Sequence, residues 1–227
     1  MREIIFDTET TGLDPATGER MVEIGCIEMV NRVTTGATFH AYFNPDIPMP
    51  AEAEAVHGLS DAFLADKPRF HERADELLTF LGDAPLVAHN ASFDFKFLNA
   101  ELDICGLEAI STARMIDTIR IAKTRHPGAK LSLDALCTRY GIDRSHRTKH
   151  GALLDAELLA QLYVELTGGR QIGLELSAAQ ETTFAVEDMT IRRERVFRSA
   201  RPHGASDEEL RRHAEFLESL NSPLWKS

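Results

Sequence analysis

The first twelve residues of this chain constrain its fold more than any other stretch. A short apolar run, Ile4 to Phe6, stands directly before two carboxylates, Asp7 and Glu9. An unbroken apolar run of this length indicates a strand that is buried on both faces of a sheet. Side chains alternate along a strand, so residues two apart point the same way, and Asp7 and Glu9 share one face.

Two carboxylates this close repel each other, and the repulsion raises their pKa values. A divalent cation removes the conflict, and hard oxygen ligands of this kind suit Mg²⁺ or Mn²⁺. For the Asp-x-Glu pattern taken alone, a solvated pair of acids before a turn is the simpler explanation. The rest of the chain has to decide between the two.

Composition describes an ordinary globular protein with an acidic surface. The 227 residues are 43% hydrophobic and 27% charged, enough to bury a sizeable core, and the formal net charge is −11. A body this acidic lacks the basic footprint with which proteins hold nucleic acids by bulk electrostatics. If the substrate is a nucleic acid, cations or a partner must offset the repulsion.

The cysteines and the hydropathy indicate a cytoplasmic protein. Cys26, Cys105 and Cys137 lie in apolar segments without metal-ligand spacing, as small core residues do in a reducing compartment. No apolar run reaches membrane-spanning length, and the N-terminus enters a strand without a signal peptide.

The order of elements predicts an α/β fold. Further strands are expected at Met21–Val30, Thr38–Phe43, Leu86–Ala88 and Met115-Ile116, the first two forming an antiparallel meander with the N-terminal strand. Helices are expected at Ala51–Leu59, Ser60–Ala65, Phe70–Leu81, from a candidate cap at Ser92 to about Cys105, from Asp117 to Lys123, and at Leu131–Tyr140 and Gly151–Thr167. Strands first, then alternating helices and strands, favour a mixed sheet flanked by helices.

The C-terminal quarter of the chain, residues 170–227, is organised differently. Periodicity is lost over residues 170–205, which we interpret as a linker after a domain of residues 1–169. It returns at Ser206, which has capping-box spacing to Glu209 and opens a tail segment of residues 206–227. An apolar stripe follows with no domain of its own to bury it, formed by Leu210, Ala214, Leu217 and Leu220, with Phe216 and Trp225 close by.

Two more acids and a histidine stand at comparable positions. Asp94 and Asp155 each fall near a predicted helix start, where the helix dipole alone would favour an acid. His150 lies in a loop five residues before Asp155, and a lone loop histidine is usually just exposed. The informative feature is the joint pattern of four acids at strand ends or helix starts with a histidine one turn from the last.

These motifs resemble the DEDDh branch of the DnaQ-like 3′–5′ exonucleases. The resemblance rests on Phe6–Gly12, His89–Asp94 and His150–Asp155, with no departure at the five signature positions, and it covers Glu3 to Thr167. Within that family the chain is most similar to the proofreading subunits of bacterial DNA polymerase III, through four supporting stretches: Val56–Leu59, Leu131–Cys137, Leu166–Gly169 and Ser222–Trp225.

The resemblance implies a ribonuclease-H-like fold and a two-metal site. It implies that Asp7, Glu9 and Asp155 hold one divalent cation, Mg²⁺ or Mn²⁺, and that Asp7 bridges to a second that Asp94 helps to fix. It assigns His150 the proton of the attacking water, a task suited to a side chain that titrates near neutrality.

The resemblance also implies a pocket for the 3′-terminal nucleotide of a single-stranded DNA end. Its predicted members are Thr10, Thr11, Gly12, Leu13, Glu52 against the 3′ hydroxyl, His57, Asn90 and Phe93. Phe93 is equally well explained as a core aromatic under its helix. A pocket of this kind reads shape and stacking, so little sequence preference is expected.

Partners and competing functions follow from the tail. The resemblance implies that the C-terminal helix docks on the alpha subunit of DNA polymerase III, whereas folding back on its own domain is the alternative. Gln171–Leu176 has the Gln-x-x-Leu-x-Leu form of a peptide that binds a sliding clamp. A stand-alone exonuclease acting on RNA or small DNA, and a protein that is mainly a polymerase–clamp adaptor, are the alternative functions.

Overall fold

The computed structural model describes residues 1–145, 147, 149–169 and 204–219. They belong to two units divided between Leu176 and Ser177. The first contains one five-stranded sheet of spatial order β3-β2-β1-β4-β5. Its strands are β1 (Arg2–Thr10), β2 (Met21–Val30), β3 (Val33–Tyr42), β4 (Leu86–Ala88) and β5 (Met115–Asp117).

The sheet is mixed, as the sequence predicts. β1, β2 and β3 form an antiparallel meander, and β4 and β5 continue the sheet in parallel with β1. The prediction that the third strand begins at Thr38 is wrong, because β3 pairs with β2 from Val33 onward. Asn31 and Arg32 both have positive φ, which is the conformation of a two-residue hairpin turn, so pairing starts immediately after it.

Seven α-helices flank the sheet within the described part of residues 1–169. They are α1 (Ala51–His57), α2 (Asp61–Leu64), α3 (Phe70–Leu81), α4 (Ala91–Ile104), α5 (Thr118–Arg125), α6 (Leu133–Tyr140) and α7 (Ala152–Leu166). Every helix predicted in this unit is present, with ends that differ by up to two residues. α6 begins after Leu131 because the hydroxyl of Ser132 caps it, accepting a hydrogen bond from the Ala135 amide at 3.3 Å.

The predicted cap of α4 is wrong. Asn90 is the cap residue, in the left-handed conformation with φ 65°, and Ser92 lies inside the first turn. Asparagine tolerates this conformation better than most residues because its short polar side chain can bond locally. The Ser92 hydroxyl donates to the Asn90 side-chain oxygen at 3.4 Å instead of capping.

Two apolar clusters sandwich the sheet, and β1 contributes to both. Ile4 and Phe6 pack with α3 and α4 on one face, and Ile5 packs with α6 and α7 on the other. All three residues are fully buried, which confirms the prediction of a strand buried on both faces. Asp7 and Glu9 have the parity of Ile5, so they point to the face that α7 covers.

Gly25 on β2 sets how closely α7 approaches this face. A Cβ atom built on Gly25 would lie 2.3 Å from the Leu153 amide nitrogen, so the backbone at the start of α7 rests directly on the glycine. Gly25 pairs with Asp7 across the sheet. The first turn of α7, with Asp155, therefore sits over the strand pair that carries Asp7.

The cysteines behave as the sequence predicts. Cys26 is fully buried in the cluster that packs with α3 and α4, the half-buried Cys105 packs against that cluster, and Cys137 is fully buried on α6. None of the helices within the described ranges combines the length and apolarity that crossing a bilayer requires.

The described part of the second unit is one helix, α8 (Asp207–Ser219). The predicted capping box is present, since the Ser206 amide donates to Glu209 at 2.8 Å and the Glu209 amide donates back to the Ser206 hydroxyl at 3.4 Å. Leu220, Trp225 and the predicted clamp peptide Gln171–Leu176 lie outside the described residues. The domain boundaries at 169 and 205 remain predictions.

Candidate active site

Two of the four acids lie inside β1 rather than after its end. The strand continues to Thr10 because β2 pairs along its whole length, with Asp7 opposite Gly25 and Glu9 opposite Glu23. Glu9 is 8% exposed and Asp7 is half-buried. The predicted common face is confirmed, because the register keeps both side chains on the α7 side.

The third acid enters from the first turn of α4. Asp94 is buried, and its Oδ1 accepts a hydrogen bond from the Thr8 hydroxyl at 2.8 Å. Thr8 lies between the two acids of β1 and points to the opposite face. This hydrogen bond therefore ties the start of α4 to the strand segment that carries Asp7 and Glu9.

The fourth acid and the histidine come from α7 and the loop before it. Asp155 is buried in the first turn of α7, and His150 Nδ1 lies 3.4 Å from its Oδ2. The His150 side chain is 47% exposed. Its amide is 3.3 Å from the carbonyl oxygen of Val56, so the loop is attached to the end of α1.

All five predicted catalytic residues meet at one cavity of about 480 Å³. Asp7, Glu9, Asp94, His150 and Asp155 line it, together with eight others: Thr8, His89, Phe93, Ile119, Leu131, Ser132, Leu133 and Arg147. A larger cavity of about 740 Å³ adjoins it and shares Arg147 and His150, but none of the four acids lines it.

Asp7, Glu9 and Asp94 each have a raised pKa. Burial, followed by the charges of Asp94 and Glu9, raises the pKa of Asp7 well above its ordinary value. Burial, with Glu23 opposite, raises the pKa of Glu9 to about 8. Burial also raises the pKa of Asp94 to about 7, although the Thr8 hydroxyl opposes the rise. Each shift means that the native fold disfavours the charged form.

This donor set fits a divalent cation. Ligand atoms of Glu9, His150 and Asp155 lie within 4.8 Å of one another, and the other two acids border the same cavity. Carboxylate oxygens are the preferred ligands of Mg²⁺ and Mn²⁺, and a bound cation favours the charged carboxylates that burial and repulsion disfavour.

The comparisons with known proteins identify the family. Residues 4–163 match a family model described as an exonuclease. The chain is 48% identical to a DNA polymerase III subunit epsilon of Rickettsia felis over 225 residues, which are 97% of each chain. It is 41% identical to the subunit of the same name from Escherichia coli, covering 100% of this chain and 98% of that one. The chain belongs to the epsilon-type exonuclease family.

A solved structure supports the fold of this exonuclease. The structure titled as exonuclease X in complex with 5′ overhanging duplex DNA covers 72% of this chain and 90% of its own, with a TM-score of 0.58 and 28% identity. The ribonuclease-H-like fold predicted from the sequence is therefore confirmed, and epsilon-type exonucleases are divalent-metal-dependent 3′–5′ enzymes.

The predicted nucleotide-pocket residues of the exonuclease are only partly gathered at the cavity. Phe93 is the one of the eight that lines it, and its ring also lies 5.0 Å from that of Phe97, so it serves both cavity and core. Glu52 is exposed on α1, and Leu13 is 82% exposed in the loop after β1. Asn90 is exposed, with its amide 3.2 Å from Asp117 Oδ1.

The other pocket candidates lie beside the end of β1. Thr10 and Thr11 are buried, and the Thr10 hydroxyl donates to the carbonyl of Gly12 at 2.6 Å. His57 is buried at the end of α1, where its Nδ1 accepts a hydrogen bond from the Leu59 amide at 3.0 Å. Its Nε2 is buried without a hydrogen-bond partner among the described residues, and burial lowers its pKa.

Three residues at or beside this cavity were not predicted from the sequence. Thr8 anchors Asp94, Glu23 faces Glu9, and Arg147 pairs with Asp155. The period-two alternation of β2 could have placed Glu23 on the α7 face with Glu9. No sequence signal distinguishes Arg147 from the other basic residues of its loop.

The raised pKa of Glu9 predicts a pH-dependent gain from neutralising it. Below about pH 4.5 the carboxyl is protonated in both the folded and the unfolded chain, so Glu9→Gln changes little there. Above that pH the unfolded chain loses the proton first, and the penalty on the fold is complete above about pH 8. In EDTA, the melting temperature of Glu9→Gln should exceed that of the wild type by about 3 °C or more at about pH 8 and by much less at about pH 5.

The exposed Glu108→Gln is the matched control, because it removes the same charge away from the cavity. A Glu9→Gln difference that stays constant from pH 5 to pH 8 would contradict the assigned cause.

Proposed function

We propose that the protein is the proofreading subunit of a DNA polymerase III and hydrolyses the 3′-terminal phosphodiester of a single-stranded DNA end, using two divalent cations, Mg²⁺ or Mn²⁺. The observation that carries the proposal is the convergence of Asp7, Glu9, Asp94, Asp155 and His150 on one cavity of a chain related over its full length to epsilon subunits. The products are nucleoside 5′-monophosphates and a strand shortened by one nucleotide.

The four carboxylates are the proposed cation ligands. Asp7 and Glu9 point from β1 toward Asp155 on α7, so these three acids would hold one cation. Asp94, which is hydrogen-bonded to Thr8 of β1, would help to hold the second cation beside Asp7. Bound cations supply the positive charge that stabilises the attacking and departing oxygens and offsets the phosphate charge. This local positive charge would also reduce the repulsion between the DNA phosphates and a chain whose net charge is −11.

His150 is the proposed general base. It is half-exposed in a loop at the mouth of the cavity, where a water molecule and the substrate phosphate can both reach it. A neutral ring nitrogen would accept a proton from the attacking water while the water oxygen bonds to phosphorus and the bond from phosphorus to the 3′ oxygen of the preceding nucleotide breaks. The departing 3′ oxygen would take a proton from solvent and leave as a hydroxyl. His150 also lies within ligand distance of Glu9 and Asp155, so binding and proton transfer have to be separated by experiment.

Phe93 and His57 are the proposed contacts to the terminal nucleotide. The aromatic ring of Phe93 borders the cavity and offers a stacking face, and the unpartnered Nε2 of His57 offers a donor. The full-length relatives are subunits of a DNA polymerase, and exonuclease X has been solved with DNA, which supports DNA as the substrate.

The roles of the acids and the histidine are tested by release of mononucleotides from 3′-labelled single strands. Asp155→Asn should abolish release while the fold is retained, because it removes a cation ligand.

His150→Gln should lower the rate by about 10²–10⁴-fold, the usual effect of removing a general base, while Mn²⁺ affinity is largely kept. His71→Gln, an exposed histidine on α3, is the matched control and should be unchanged.

A His150→Gln variant that loses Mn²⁺ affinity but reaches the normal rate at saturating Mn²⁺ would show that His150 is a ligand and not the base. Normal turnover by Asp155→Asn would contradict the assignment of Asp155 as a required cation ligand. DNA and RNA of the same sequence are compared, since faster release from RNA would favour the stand-alone alternative.

The C-terminal helix is the proposed contact with the polymerase alpha subunit. Leu210, Ala214 and Leu217 recur at helical spacing on α8, with Leu210 55% exposed. The remaining surface carries ion pairs that join Arg211 and Arg212 to Glu208 and Glu215. An isolated helix of 13 residues is marginal in water, and an amphipathic face of this kind suits a groove on a partner. Gln171–Leu176 remains the proposed contact with the sliding clamp.

Leu217→Asp in the full chain should abolish co-purification with the alpha subunit, because it would bury an unpaired charge in the contact. Single-strand hydrolysis should be unchanged. Arg212→Asp places the same residue on the charged side of α8 and should bind normally. Full binding by Leu217→Asp would show that the stripe serves another contact, and lost hydrolysis would favour docking on the nuclease itself.

A further inference from the structure

The guanidinium of Arg147 lies in the cavity among the acid cluster, which is the set of four carboxylates Asp7, Glu9, Asp94 and Asp155. Its Nε donates to Asp155 Oδ1 at 2.5 Å and its Nη2 donates to Asp155 Oδ2 at 2.7 Å. The Arg147 side chain is 9% exposed and the Asp155 side chain 3% exposed. This is a buried, two-pronged arginine–carboxylate pair, which is the strongest kind of ion pair in proteins.

The same guanidinium also reaches the histidine. Arg147 Nη2 lies 2.8 Å from His150 Nδ1, so it contacts two of the three residues whose ligand atoms gather within 4.8 Å. Its charge also opposes the rise in the pKa of the third, Glu9, which burial causes. Both oxygens of Asp155 accept from Arg147, so a divalent cation cannot be bound there without bringing like charges together.

We propose that Arg147 is an internal counter-cation, which neutralises the acid cluster in the metal-free protein and is displaced from Asp155 and His150 when a divalent cation binds. The inference rests on the proposed cation site. On this proposal Asp155 is paired with a cation in both states, and metal binding there is an exchange of one cation for another.

The surroundings of Arg147 support an exchange. Among the described residues, it supplies the only guanidinium or ammonium that hydrogen-bonds any of the four acids. Its Nη1 is held separately by Asp134 Oδ1 at 2.8 Å, and the Asp134 side chain is 46% exposed. Asp134 can therefore retain the guanidinium near the cavity mouth after the other contacts break, so displacement does not leave a buried charge without a partner.

Displacement has a signature that an ordinary structural ion pair lacks. Arg147→Gln should lower the melting temperature of the full chain in EDTA, because the buried acids lose their counter-charge. The same variant should bind Mn²⁺ more tightly by about tenfold or more in calorimetry, since the metal no longer has to break charge-assisted hydrogen bonds. The gap between the melting temperatures with and without Mn²⁺ should widen.

Two further variants complete the test. Arg144→Gln removes a neighbouring arginine that pairs with the same Asp134 at 2.9 Å, and it should leave Mn²⁺ affinity unchanged. Arg147→Lys keeps the charge without the two-pronged geometry, so its metal-free melting temperature and its Mn²⁺ affinity should both lie between those of the wild type and Arg147→Gln. This variant carries the test if Arg147→Gln does not fold in EDTA.

Weaker or unchanged Mn²⁺ binding by Arg147→Gln, or by Arg147→Lys in its place, would overturn the proposal and make Arg147 a residue that positions Asp155. Failure of the wild type to bind Mn²⁺ would instead count against the proposed cation site itself, so the two ideas fail in different measurements.

Discussion

The cost of gathering four carboxylates out of water in one cavity is the constraint on which the rest of this structure depends. Asp7, Glu9, Asp94 and Asp155 line one cavity, three of them are buried, and burial is the largest cause of the pKa rises at Asp7, Glu9 and Asp94. A fold that gathers such groups is less stable for doing so, unless cations accompany them. Groups held against local stability in this way are common at catalytic sites, in agreement with the proposed function.

The fold meets this constraint by using both faces of one strand. The even-numbered side chains of β1 pack with α3 and α4, and Thr8 at the end of that series holds Asp94. The odd-numbered side chains face α7, and Gly25 lets the backbone of α7 come close enough to place Asp155 over Asp7. Two helices on opposite faces thereby deliver acids to one strand end, and the strand fixes their separation.

The sequence predicts most of this architecture, and its failures have local physical reasons. The strands β1 and β2 and the helix α3 are predictable because their apolar periodicity reflects burial. The first half of β3 lacks that signal, because it is an exposed edge. The start of α4 depends on the left-handed backbone conformation of Asn90, which no side-chain pattern predicts. The four acids and His150 are predictable from motif spacing, whereas Glu23 and Arg147 enter the site only through tertiary contacts.

The most direct test of this account is anomalous diffraction from crystals of the full chain grown with Mn²⁺. The account predicts two manganese peaks within the cavity, one contacted by Asp7, Glu9 and Asp155 and the other between Asp7 and Asp94, with the guanidinium of Arg147 withdrawn from Asp155. A single peak, or peaks away from these carboxylates, would contradict the claim that the buried acids form a two-cation site.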